Sequence, residues 1–147
     1  MRRADQVVAI VATVDPDAYA TGAQNSDTID MQDFEQVMFV VTAGTLGSSA
    51  TIDFKATQGN SSAMGSEKDI TGKAITQLTD AGTDSDKQAS VVVNQSDLDV
   101  AGGFRWIRGV MTVGTATSDA GVVALGLYPT YGPASDYDLA SVDEIVA

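Results

Sequence analysis

The chain has no cysteine and no histidine. The first absence excludes a disulfide, a thiolate metal site and a cysteine nucleophile. The second removes the commonest zinc ligand and the side chain that most often acts as general base near neutral pH. Positive charge is scarce: eight Lys and Arg stand against twenty Asp and Glu, for a formal net charge of −12. Nucleic acid and anionic membrane surfaces need clustered positive charge, so neither is expected as a partner. Long apolar runs are missing too, and nothing approaches the ~20 residues of a membrane-spanning helix. Arg2 and Arg3 precede an apolar run, but Asp5 and Gln6 interrupt it and residues 7–12 are too short for a signal-peptide core. Proline occurs only three times in 147 residues, against 44% hydrophobic residues, so composition does not point to disorder.

A chain of 147 residues is sized for one domain that buries roughly 70% of its unfolded surface. Short β-rich segments separated by Gly- and Asp-rich turns run along it. Residues 5–13 read as a first strand closed by Asp15-Pro16-Asp17, and residues 18–27 read as loop. A short strand fits Thr28 to Met31, and a stronger one fits Gln36 to Ala43, ended by Gly44. Residues 50–58 alternate cleanly, with Ala50, Ile52, Phe54 and Ala56 on one side and Thr51, Asp53, Lys55 and Thr57 on the other. Residues 45–49 read as the hairpin loop joining these two strands. Residues 59–72 look like an exposed excursion, residues 73–78 a further strand, and residues 90–94 a short Val-rich one. Ser96 to Asp99 fits one helical turn, and Ser141 with Glu144 has capping-box spacing.

The stretch Gly103 to Pro129 dominates the pattern. Two apolar runs flank a small polar turn, which reads as a β-hairpin covered on both faces. Trp106, the only tryptophan, is the expected core anchor, with Phe104 beside it. About eight short strands without a long amphipathic helix predict an all-β fold, a β-sandwich or barrel. The body is expected over residues 1–129 with a short N-terminal arm, and residues 130–147 as a tail that packs on the body or on a neighbour.

No set of residues adds up to a catalytic site. Asp15/Asp17, Asp84/Asp86, Asp97/Asp99 and Asp136/Asp138 are Asp-x-Asp pairs, but none extends into a calcium loop, and Asp favours turns on its own account. A glycosidase would pair its carboxylates with aromatic platforms, which the sparse aromatics do not supply. Serine chemistry lacks its histidine and its Gly-x-Ser-x-Gly elbow. A Ser–Lys dyad would need Lys68, Lys73 or Lys87, all in or beside polar loops. Arg105 and Arg108 lie three apart, on opposite faces of one strand, and each is expected to find a nearby carboxylate. No enzyme activity, metal or cofactor is expected.

The order of segments resembles the head decoration, or cement, proteins of tailed bacteriophages. The resemblance rests on the apolar opening strand, on Asp33-Phe-Glu-Gln-Val-Met-Phe-Val-Val leading to Ala50-Thr-Ile-Asp-Phe-Lys-Ala-Thr-Gln, and on Phe104-Arg-Trp-Ile-Arg-Gly with Val122-Val-Ala-Leu-Gly. It implies a jelly-roll-like sandwich, made in the host cytoplasm, that sits on the virion exterior as a homo-oligomer, commonly a trimer. Its partner would be the major capsid protein. The alternative is a carbohydrate- or receptor-binding sandwich of a tail or fibre, for which Tyr19, Tyr131 and Tyr137 are the candidate contacts. For the capsid reading the candidate contacts are at the ends: Arg2 and Arg3, the one adjacent basic pair, and Leu139, Val142 and Ile145 in a tail too apolar for pure solvation.

Overall fold

Side chains of a strand point alternately to its two faces, and burial in this chain follows that period of two. A computed structural model, which describes residues 1–147, contains ten strands in chain order. They are β1 (Val8–Tyr19), β2 (Gly22–Asn25), β3 (Ile29–Asp30), β4 (Phe34–Ala43), β5 (Thr51–Gly59), β6 (Lys68–Ala74), β7 (Leu78–Thr79), β8 (Gln88–Asn94), β9 (Trp106–Gly114) and β10 (Ser118–Pro129). β4 buries Val37, Phe39, Val41 and Ala43, while β9 buries Ile107, Gly109, Met111 and Val113.

All pairings are antiparallel. One sheet has the order β1-β10-β4-β8, the other β2-β9-β5-β6, with β3 beside β9 and β7 beside β5. With the two-residue strands set aside, the first strand pairs with the last, the second with the last but one, and so inward to the β5–β6 hairpin. The chain is therefore a long antiparallel ribbon rolled into two facing sheets. That is the jelly-roll form of the β-sandwich, as expected from the strand pattern and the resemblance.

The facing sides share a core cluster of 27 residues. At its centre the rings of Phe39 and Phe54, one from each sheet, lie 5.3 Å apart. Gly109 is the floor under them: a Cβ there would sit 2.6 Å from Phe54 Cε2 and 3.2 Å from Phe39 Cδ1. Ser26 pins this floor from outside, its N–H donating to Gly109 O and its Oγ accepting from Gly109 N–H, both at 2.9 Å.

Several expectations change. Residues 103–129 do not form a hairpin, because β9 and β10 lie in different sheets and residues 115–117 cross between them. The β4–β5 link is likewise a crossing. Trp106 is half-buried, on the outer side of its strand with Arg108 and Val110; Ile107 and Met111 take the core side. Phe104 is also half-buried, with Lys68 Nζ 4.0 Å from its ring centre. β1 does not stop at Asp15 but continues through Pro16 to Tyr19, with irregular register between Ile10 and Ala12 and between Val14 and Asp17. An edge strand tolerates proline because its free side needs no N–H. Residues 22–25, read as loop, form β2; β6 starts inside the expected excursion, and of the strand expected over 73–78 only residues 73, 74 and 78 are in strands.

Candidate functional site

Seven of the eight basic side chains are paired with a carboxylate. Arg105 pairs with Asp30, and Arg108 with Glu67 at 2.5 Å, so each strand-borne arginine has its local carboxylate. The Arg108 guanidinium holds the Glu67 carboxyl below its ordinary value, against the opposing effect of burial. Lys68, Lys73 and Lys87 bind Asp99, Asp97 and Asp84 at 2.6, 2.9 and 2.8 Å, which ties both members of the Asp97/Asp99 pair into salt bridges. Burial pushes the Asp97 carboxyl up, but hydrogen bonds from the Asn94 backbone and Lys73 outweigh it and leave the group lowered. No three carboxylates converge anywhere in the molecule. One depression, about 540 Å³, is lined by residues 16–18, 42–44 and 119–121; Asp17 and Asp119 are its only ionisable side chains and no aromatic ring lines it.

Of the five terminal candidates, Arg3 and Ile145 come together in one groove, and Leu139 bonds to β1. Arg3 turns back on Asp5 at 2.6 Å, while Arg2 is exposed. Leu139 N–H donates to Ile10 O, and Asp138 Oδ1 accepts from Ile10 N–H at 2.7 Å, so the tail runs along β1. Tyr137 packs edge-on against Phe34, with ring centres 5.1 Å apart. Val142 N–H donates to Leu139 O, and Ile145, Val146 and Ala147 share a 440 Å³ groove with Arg3, Ala4 and Asp5. Of the candidate aromatics, Tyr19 and Tyr137 are half-buried and Tyr131 is exposed; Tyr128, not among them, is exposed as well.

A different surface escaped the sequence reading. On the outer side of the β1-β10-β4-β8 sheet, the register aligns Ile10, Leu125, Met38 and Val92 in one row across all four strands. The next row is Thr13, Val123, Val40 and Ser90. Gln36 and Asn94 flank the rows at one end, Thr42 and Gln88 at the other. None of these residues is charged, in a chain with 28 charged side chains. Val92 and Val123 are 39% and 38% exposed. Four strands about 4.8 Å apart and some seven residues long make an uncharged face of roughly 450 Å², polar and apolar residues together. The outer side of the other sheet is the opposite in character, with Lys55–Asp69 and Arg108–Glu67 pairs across it. The signal was present in the strand sequences, but only the register brings the four short runs into one patch.

The sequence matches no protein-family model and no curated protein. Among solved structures, that of Broad Bean Stain Virus aligns over 90% of this chain and 96% of its own matched chain, at 12% identity and a TM-score of 0.46. That of infectious bursal disease virus, Gx strain, aligns over 86% of this chain and 32% of its own, at 13% identity and a TM-score of 0.44.

Proposed function

We propose that this chain is a structural virion protein that binds the outside of a phage capsid lattice and stabilises it. Its partner in this reading is the major capsid protein, and its copies group as a small homo-oligomer, a trimer in the cement-protein pattern. The observation that supports it is the uncharged outer face of the β1-β10-β4-β8 sheet. A protein of net charge −12 keeps solvated faces charged, and an uncharged face with Ile10, Leu125, Met38 and Val92 across it is held for contact. Each contact is modest, and avidity over many copies multiplies it. The terminal groove of Arg3 and Ile145, with Arg2 beside it in sequence, supplies a second contact region at one end of the body. A carbohydrate- or receptor-binding role draws less support, because the 540 Å³ depression has no ring and Trp106, on the outer side of β9, is half-buried with the Arg105 guanidinium 5.3 Å from its ring.

The test is occupancy on purified shells. Val123→Lys combined with Val40→Lys puts two charges on the face without touching the core. Occupancy should fall at least tenfold while the melting temperature stays within a few degrees. Full occupancy by that variant removes the face from the proposal. Failure of the unmodified protein to appear on particles removes the role itself.

A further inference from the structure

A sheet edge exposes unpaired backbone N–H and C=O groups, and folded proteins usually protect it. Three of the four long edges here are protected. β1 has two register breaks, Pro16, and the tail bonded to Ile10 on its free side. β2 is only four residues long. β6 carries Lys68, Asp69 and Lys73 and a left-handed Gly72 at φ +76°. β8, Gln-Ala-Ser-Val-Val-Val-Asn, has no charge, no proline and an unbroken register with β4.

Two hydrogen bonds set the phase of β8. Lys87 O accepts from Ala43 N–H, on the β4 side, and Asn94 N–H turns away from β4 to donate to Asp97 Oδ2 at 2.7 Å. Ala89, Val91 and Val93 therefore exchange bonds with β4, while Gln88, Ser90 and Val92 turn their N–H and C=O outward. No hydrogen bond in the molecule reaches those outward backbone groups.

We infer that β8 pairs with β8 of a second copy, antiparallel about a two-fold axis, with Ser90 opposite Ser90. The free groups are symmetric about Ser90, so this register places Gln88 against the partner strand's Val92 and satisfies all three free residues of each strand. Registers centred on Val91 or Val92 leave Gln88 facing Asn94 or nothing, and the Asn94 N–H is already taken. The uncharged strand brings no like charges into the paired rows, which matters between two chains of −12. The edge alone buries far less than the roughly 800 Å² per partner of a stable interface, so the pairing is weak in solution and effective where copies are held close. A two-fold contact closes at two copies, so on a shell it links one group of subunits to the next. It also joins two uncharged faces into one. The pairing stands on the edge geometry and does not depend on the proposed role.

The chain's lack of cysteine makes the test direct. Directly opposed, hydrogen-bonded residues have Cα atoms about 5.5 Å apart, in the middle of the disulfide range. Ser90→Cys, oxidised gently at high concentration, should therefore give a disulfide dimer. Val92→Cys alone should not, because the equivalent residue of the partner strand lies about 13 Å along it. Mixing Gln88→Cys with Val92→Cys should restore the cross-link. Sedimentation of the unmodified protein should show association that strengthens with salt, as the repulsion between two acidic chains is screened. The proposal is overturned if Ser90→Cys dimerises no better than Thr71→Cys on the β6 edge, or if Val92→Cys dimerises equally well. Association that weakens with salt overturns it too. So does a Ser90→Cys protein that cross-links only to shell protein, which would mean that the edge takes a foreign strand.

Discussion

Gly109→Ala places a methyl group under the two central rings, and the geometry sets the cost. The new carbon would stand 2.6 and 2.7 Å from Phe54 Cε2 and Cζ and 3.2 Å from Phe39 Cδ1. Both rings are closed in, with Phe39 fully buried and Phe54 nearly so, and they face each other across the core. Neither can swing clear without displacing the other. Overpacking of this kind costs about 1–3 kcal/mol. Replacing glycine within a strand returns roughly 0.5–1 kcal/mol through the lower entropy of the unfolded chain. Taken at mid-range, the net loss is then about 1 kcal/mol. With an unfolding entropy of about 2.1 cal/mol/K per residue, a chain of this length should melt roughly 3 °C lower. Phe54→Leu removes the ring atoms nearest the new methyl, so the double variant should be more stable than the two single losses add up to, by about 1 kcal/mol. Urea unfolding of the four proteins measures this coupling. A neutral Gly109→Ala, or strictly additive losses, would refute the picture of Gly109 as the floor of the ring pair.

Phe39→Ala should cost about 3–5 kcal/mol, whereas Trp106→Ala, on the half-buried outer side of β9, should cost only about 1–2 kcal/mol; equal losses in denaturant unfolding would contradict the assigned faces. The Glu67 carboxyl is held below its ordinary 4.5, so its stabilising contribution is present above that value and is lost as pH falls through the lowered folded value. Melting temperature should therefore drop less steeply on acidification below about pH 4.5 in Glu67→Gln than in the unmodified protein. Identical slopes would mean that the Arg108 pair does not form in solution.

Alternation made β4, β5 and β8 legible, because a strand with one face in a core must repeat every two residues whatever lies around it. The same rule divides β9 into two sets, Trp106 and Val110 against Ile107 and Met111. It could not say which set faces inward, since both are apolar. That was decided in the core, where Phe39 of the opposite sheet and Phe54 of the neighbouring strand β5 need the empty floor that Gly109 offers. β6 was hidden because an edge strand buries little, and Lys68–Ala74 has Ile70 as its one buried residue. Whether residues 115–117 turn back within a sheet or cross to the other is a matter of which long-range pairings bury more surface, and a three-residue link permits either. The bonds of Ile10 to Asp138 and Leu139 span nearly the whole chain and leave no local trace. Absence of charge from four separate runs was written in the sequence, but a patch exists only once antiparallel register aligns Ile10, Leu125, Met38 and Val92, and that alignment is a property of the rolled ribbon.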